Sequence, residues 1–213
     1  MILVPHADDE ALGFGASISK HVAGGDKVHV GILKSSSTDR RTREQNKSAS
    51  ACIDVLKYEQ NHFLNIKQQD LQRFNIKALH KIENLIDHVK PNILYIPHYG
   101  DAHQEHNNTF NYAKIASRQH RNTAIQTILC GEIISTTGNG FYHGNRFDPN
   151  YYNLVTEHDV NQKIKALECY SGELREYPHP RSAQGVMITA QQRGMEAGGM
   201  FAEAFVCVRN VIP

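Results

Sequence analysis

The sequence predicts an α/β fold with a mostly parallel sheet covered by helices on both faces. Three observations predict it. Short apolar runs alternate with helical patterns along the chain. The first run, Ile2-Leu3-Val4, is apolar without interruption, as a strand buried on both faces must be. Residues able to carry chemistry crowd the positions just after two of the runs, where open α/β sheets bind their ligands. Together these describe a Rossmann-like three-layer α/β/α arrangement, with its active site at the C-terminal ends of the strands. Right-handed crossovers follow by rule.

The elements can be justified in order. After the strand at 2–4, a helical pattern covers about 10–22 and stops at Gly24-Gly25-Asp26. Val28, Val30, Ile32 and Leu33 read as a second strand. The polar loop Ser35-Ser36-Ser37-Thr38-Asp39 supplies N-cap chemistry for a helix over about 40–56. Phe63-Leu64-Asn65-Ile66 reads as a third strand. Ile76, Leu79, Ile82, Ile86 and Val89 recur at helical spacing, and Pro91 stands just beyond as a stop. A fourth strand, 93–96, a helix over about 107–119 and a strand near 125–130 follow. The pattern breaks over 135–152, which is rich in Gly and aromatic residues, including Phe141 and Tyr142. The 135–180 stretch is expected to be an excursion forming a pocket wall or lid. Helices over about 159–170 and 182–193 and a last strand at 204–209 complete the chain.

With 213 residues the chain is expected to form one domain, 1–213, with a core of ordinary size. Its 23 Lys and Arg nearly balance 22 Asp and Glu, so no field recruits nucleic acid or an acidic membrane. Mean hydropathy is −0.50, and no apolar run approaches the roughly 20 residues of a membrane span. The first residues read as a core strand rather than a basic leader. Cys52, Cys130, Cys169 and Cys207 are scattered, with no C-x-x-C pair, and are expected to be reduced thiols in the cytoplasm. No G-x-G-x-x-G follows the first strand, which argues against a dinucleotide-binding protein.

The first strand opens into Pro5-His6-Ala7-Asp8-Asp9-Glu10, and the fourth into Asp101-Ala102-His103-Gln104-Glu105-His106. Pro5 cannot donate to a sheet ladder, so the strand ends near it and the next side chains are free to turn into a crevice. Two imidazoles and one carboxylate suit a catalytic zinc, which keeps a position open for water. His6 and Asp9 are offered by the first loop, and His103 or His106 by the second. Asp8, beside Asp9, stands where a general base on that water is needed. Two carboxylates this close need a cation to ionise together.

These residues resemble the PIG-L / LmbE-like family of zinc-dependent N-deacetylases. The family shows His-x-Asp-Asp-Glu after its first strand, usually with Pro where this chain has Ala7. It shows Asp-x-His-x-x-His after a later strand, usually with Asp where this chain has Glu105. Arg41-Thr42-Arg43-Glu44 resembles its R-x-x-E, although Leu56-Lys57 replaces the usual Leu-Gly at a longer spacing. Phe147-Asp148-Pro149-Asn150-Tyr151 resembles its F-x-P-N segment. Gly194 to Phe205, ending Ala202-Glu203-Ala204-Phe205, resembles its C-terminal signature.

The resemblance implies His6, Asp9 and His106 as metal ligands, Asp8 as general base, and His103 as the imidazole that stabilises the oxyanion or serves the leaving amine. Either Asp101 or Glu105 orients His103. Arg41 is expected to contact a substrate oxyanion or hydroxyl, Asp70 to bind a sugar diol, and Glu203 to be structural. The implied reaction is hydrolysis of an acetamide on an N-acetylglucosamine-type conjugate, with Zn2+ as cofactor and Fe2+ as an alternative. A soluble glycoside or nucleotide sugar is the expected partner, rather than nucleic acid or a membrane lipid. Two other readings share the residues: a non-haem Fe(II) enzyme, which uses a similar ligand set, and a non-catalytic sugar-binding homologue.

Overall fold

A computed structural model of the chain describes residues 1–35, 40–121, 124–140 and 145–212, apart from the side chain of Arg41. The strands are β1 (Ile2–Val4), β2 (His29–Ile32), β3 (Gln60–Phe63), β4 (Ile93–Pro97), β5 (Thr127–Gly131), β6 (Tyr151–Val155) and β7 (Phe201–Asn210). The helices are α1 (Asp9–Ala23), α2 (Arg40–Leu56), α3 (Gln68–Gln72), α4 (Ile76–Val89), α5 (Gln104–Ala116), α6 (Glu157–Glu168) and α7 (Ala183–Glu196). The strands form one sheet in the order β3-β2-β1-β4-β5-β7-β6. β1 to β5 pair in parallel, and β7 runs antiparallel to both β5 and β6.

The order reverses between β1 and β4, and a crevice opens beyond the carboxyl ends of adjacent strands at such a switch point. Both motifs leave the sheet there, one from each side of the reversal.

Period-two alternation divides the core between the two faces. Ile2, Val4, Val30 and Ile32 pack under α1, α2, α6 and α7 through Leu12, Phe14, Cys52 and Leu167. Leu3, Leu94, Ile96 and Ile128 face the other way, against Leu79, Ile82 and Ile86 of α4 and Tyr112 and Ala113 of α5. Each large apolar side chain buried this way contributes about 1.5–3 kcal/mol. The α4 helix is bounded as its sequence predicts. The Asn75 side chain accepts the N–H groups of Lys77 and Ala78, Lys90 closes the helix at φ 51°, and Pro91 follows.

Several boundaries differ from expectation. β3 lies at 60–63 rather than 63–66. It is an edge strand with polar Gln60, Asn61 and His62, so hydrophobicity pointed downstream of it. β6 was hidden in the aromatic stretch, and with α6 it puts regular structure into the middle of 135–180. The α5 helix begins at Gln104, three residues earlier than expected, because His103 caps it. The F-x-P-N segment ties down the sheet edge: Asn150 accepts the Cys207 N–H at 2.7 Å and donates its own to Phe205 O at 3.0 Å.

Glu203 on β7 accepts the N–H groups of Ala16 (3.1 Å) and Ser17 (2.7 Å) in α1 and pairs with Lys163 Nζ of α6 at 2.6 Å. Both charged side chains are buried, so each depends on the other for compensation.

Candidate metal and catalytic site

The chain turns out of β1 at Pro5 and enters α1 through Asp8, whose backbone sits at φ 135° and ψ −30°. A non-glycine residue holds such a conformation only where its surroundings enforce it, at a cost of order 1–3 kcal/mol. Here the Asp8 N–H donates to Glu10 Oε2 at 3.0 Å, and its carbonyl accepts from Ala11 and Leu12. Glu10 is fully buried and is held in turn by the Tyr170 hydroxyl. Asp9 and Glu10 occupy the first turn of α1, where the helix dipole favours negative charge.

The second loop is built around Asp101. Its Oδ1 accepts the His103 N–H at 2.7 Å, and its Oδ2 accepts from Thr136 (3.0 Å) and Thr137 (2.5 Å). Asn107 Nδ2 donates to the carbonyls of Tyr99 and Asp101, both at 2.9 Å. The approach of the 140 and 145 segments needs a glycine at 100, where a Cβ would lie 1.7 Å from Asn145 O.

His6, Asp9 and His106 converge, each offering a ligand atom within 4.8 Å of the others. Asp9 Oδ2 lies 3.0 Å from His6 Nδ1, and Asp9 Oδ1 lies 3.3 Å from His106 Nε2. His106 Nδ1 lies 3.1 Å from Asp101 Oδ1. Both nitrogens of this buried ring stand near carboxylates, yet neither makes a well-aligned hydrogen bond. An imidazole backed by a carboxylate, with its far nitrogen aimed at a second carboxylate and unsatisfied, fits a divalent cation.

The charges tell the same story. Burial pushes His6 and His106 toward neutrality, but it is outweighed by Asp9, with Glu105 helping at His6 and Asp101 at His106. Their pKa values rise to about 9 and about 10. Asp9 is held well below the usual carboxylate range: burial opposes this, and His106 and His6 outweigh it. Without a metal, two imidazole protons supply the positive charge that the carboxylates require. Asp8 moves the opposite way, pushed well up by burial and then by the charge of Asp9.

His103 adds its ring beside these, 4.9 Å from His6 and 4.8 Å from His106 between centroids. The expectation that Asp101 or Glu105 orients it through a carboxylate is corrected. Asp101 turns its carboxylate to His106, and Glu105 places Oε2 2.5 Å from His6 Nε2. His103 Nδ1 instead accepts the Glu105 main-chain N–H at 3.2 Å, closing the first turn of α5. The neutral ring therefore carries its proton on Nε2.

These residues line a cavity of about 650 Å3. Lys34, Thr42, Gln45, Gln68, Gln72 and Arg181 form much of its wall. Asp70 is absent from it. It accepts from Asn75 Nδ2 at 2.8 Å and borders a separate cleft. Gln68 and Gln72, four residues apart, share the face of α3 toward the site, and Asp70 between them points away. The side chain of Arg41 lies outside the described residues, as do Phe141 and Tyr142. From the expected wall at 135–180, Thr136 and Glu173 reach the cavity.

Arg181 was missed by sequence reasoning. Its Nη1 lies 2.7 Å from Glu173 and 3.8 Å from Asp8 Oδ2, and its Nε donates to Ser135 Oγ at 2.7 Å. Its one local signal is its place after Pro178-His179-Pro180, in a connection too rigid to be a plain linker.

Fold and site define a layered α/β protein with a metal-competent cluster at its switch point. The chain belongs to the PIG-L family, described as GlcNAc-PI de-N-acetylase, whose sequence model matches residues 1–117. Solved structures share the whole fold at low identity. A conserved protein from Thermus thermophilus is 18% identical with a TM-score of 0.78, over 100% of this chain and 96% of that one. N,N'-diacetylchitobiose deacetylase from Pyrococcus horikoshii is 15% identical with a TM-score of 0.75, over 98% and 82%. The 4-carboxy-2-hydroxymuconate hydratase from Pseudomonas putida is 14% identical with a TM-score of 0.76, over 100% and 97%. The same fold thus carries different chemistries, and function has to be argued from the site. Among the described residues no helix is long and apolar enough to cross a membrane.

Proposed function

We propose that this protein is a metal-dependent hydrolase that removes the N-acetyl group from an N-acetylated amino sugar, releasing acetate and a free amine. One observation carries the reading. The Asp9 carboxylate is bracketed by His6 and His106 at 3.0 and 3.3 Å, and Asp8 is next to it on the cavity wall. Family membership and the chitobiose deacetylase likeness support the same reaction class.

In this reading His6, Asp9 and His106 hold Zn2+ or Fe2+. The ion, when bound, polarises the amide carbonyl and makes water acidic near neutral pH. Asp8 takes the proton from the attacking water. Arg181, held by Glu173, sets its positive charge 3.8 Å from the Asp8 carboxylate. His103, fixed by the Glu105 N–H, offers Nε2–H to the oxyanion that forms on the carbonyl oxygen. The C–N bond breaks as the amine takes up the proton that Asp8 removed from water, leaving acetate and the amino sugar.

The glutamines and Lys34 on the cavity wall suit hydroxyl-rich ligands, and the near-balanced charge of the chain favours a soluble glycoside or nucleotide sugar over a membrane lipid. The test is a screen of N-acetyl sugar conjugates for amine release, using protein of measured metal content. Acetate and amine in equal amounts, both abolished by chelation, are expected. Fully metallated protein that releases neither overturns the proposal.

A further inference from the structure

The histidines unused by the site include three that meet at the opposite end of the sheet. His29 opens β2, His62 lies on the neighbouring edge strand β3, and His88 is in the last turn of α4. The parallel register pairs His29 with Gln60 and Gly31 with His62, so the two histidines are diagonal neighbours on one face of the sheet. Gly31 lets α4 come down on that face, since a Cβ there would meet Leu85 Cδ2 at 2.8 Å. Leu85 is one helical turn before His88, and this packing brings the third ring to the same margin.

His29 Nδ1 and His62 Nε2 are 3.1 Å apart, with their rings tilted by 38°. The His88 ring centroid is 6.2 Å from that of His62, and its side chain is exposed. Two imidazole nitrogens on one tetrahedral zinc, each about 2.0–2.1 Å from it, stand about 3.3 Å apart. The His29–His62 separation already matches that span.

The geometry points to a second divalent transition-metal site on the sheet margin, formed by His29 and His62 and completed by His88, independent of the cluster at the switch point. Imidazole donors select zinc, copper or nickel over magnesium and calcium. Burial also holds His29 and His62 below the ordinary histidine pKa, which keeps their lone pairs available near neutral pH. Glu59 is the acidic group whose charge acts on His29.

The test is a calorimetric Zn2+ titration of metal-depleted full-length protein, read as equivalents bound. Wild type should take two equivalents in two classes. His62→Gln and His29→Gln should each lose the weaker equivalent, keep the stronger one and leave amine release unchanged. Asp9→Asn should show the reverse loss, so failure of the proposed hydrolase site remains distinguishable from failure of this one. Imidazole proton–nitrogen spectra of wild type should show the His29 and His62 rings shifting with the weaker class. A single equivalent in wild type, or a weaker equivalent that survives both His29→Gln and His62→Gln, overturns the inference.

Discussion

The loops after β1 and β4 meet at one cluster but are built in opposite ways. The first is strained and charge-dense: Asp8 is forced to φ 135°, with Asp9 and Glu10 directly behind it. The second is relaxed and heavily braced, with Asp101 tied to two threonines and a main-chain N–H. The first loop stores reactive charge, and the second fixes direction. The contrast teaches that changes to Asp8 and Asp9 should abolish turnover, whereas changes to the braces of the second loop, Asp101 and its threonines, should loosen metal affinity.

The largest effect is expected at Asp9. Asp9→Asn should bring bound metal at the switch-point cluster to background and leave no turnover, checked by elemental analysis beside the amine assay. Asp8→Asn should keep the metal and lower turnover by about a hundred- to ten-thousand-fold, the usual contribution of a positioned base. If both variants lose metal equally, the division of roles within the first loop fails.

In the second loop, Asp101→Asn should weaken metal affinity by about 10–100-fold through loss of the carboxylate behind His106. A chelator competition assay measures it. Thr137→Val should produce a smaller change of the same kind, because Thr136 still donates to the same Asp101 oxygen, Oδ2. An effect of Thr137→Val exceeding that of Asp101→Asn would show that the brace matters for something other than His106.

The pH response sharpens the same comparison. His6 and His106 have folded pKa values raised to about 9 and about 10 from 6.5. Their stabilising contribution to the metal-free protein is complete below about pH 6.5 and is lost as pH rises through 9 to 10. Asp8, shifted upward, works in the same sense, since ionising it costs the folded state more than the unfolded one. Metal-free protein should therefore lose Tm between pH 7 and pH 10. Metal affinity should rise over that range, because binding must displace the imidazole protons. Scanning fluorimetry with and without Zn2+ separates the two curves.

Much of this was legible in the sequence. Buried parallel strands announce themselves as unbroken apolar runs, and the α4 stripe was explicit. So were the ligand-type residues, because they sit directly after β1 and β4. The edge strands were less legible: polar β3 was read three residues downstream of its place and β6, among aromatics, was missed, and each has only one sheet neighbour. The partners of the ligand residues were hidden too. Whether Asp101 faces His103 or His106 depends on the path of the loop between them, which spacing does not encode. Arg181 and Glu173 come from distant sequence and arrive only through the packing of α6 and α7. Asp70 was misplaced because it lies on the short helix α3, whose face toward the cavity carries Gln68 and Gln72 instead.

The Glu203 clasp has a consequence for how the molecule can be divided. Residues 1–117 contain His6, Asp8, Asp9, Asp101, His103 and His106, but not the carboxylate that latches α1 to the closing strand, nor the threonines that steady Asp101. Cut free at that point, the reactive half would keep every ligand-type residue and lose its buckle. The C-terminal part is thus the frame on which the ligand-bearing part is stretched into shape.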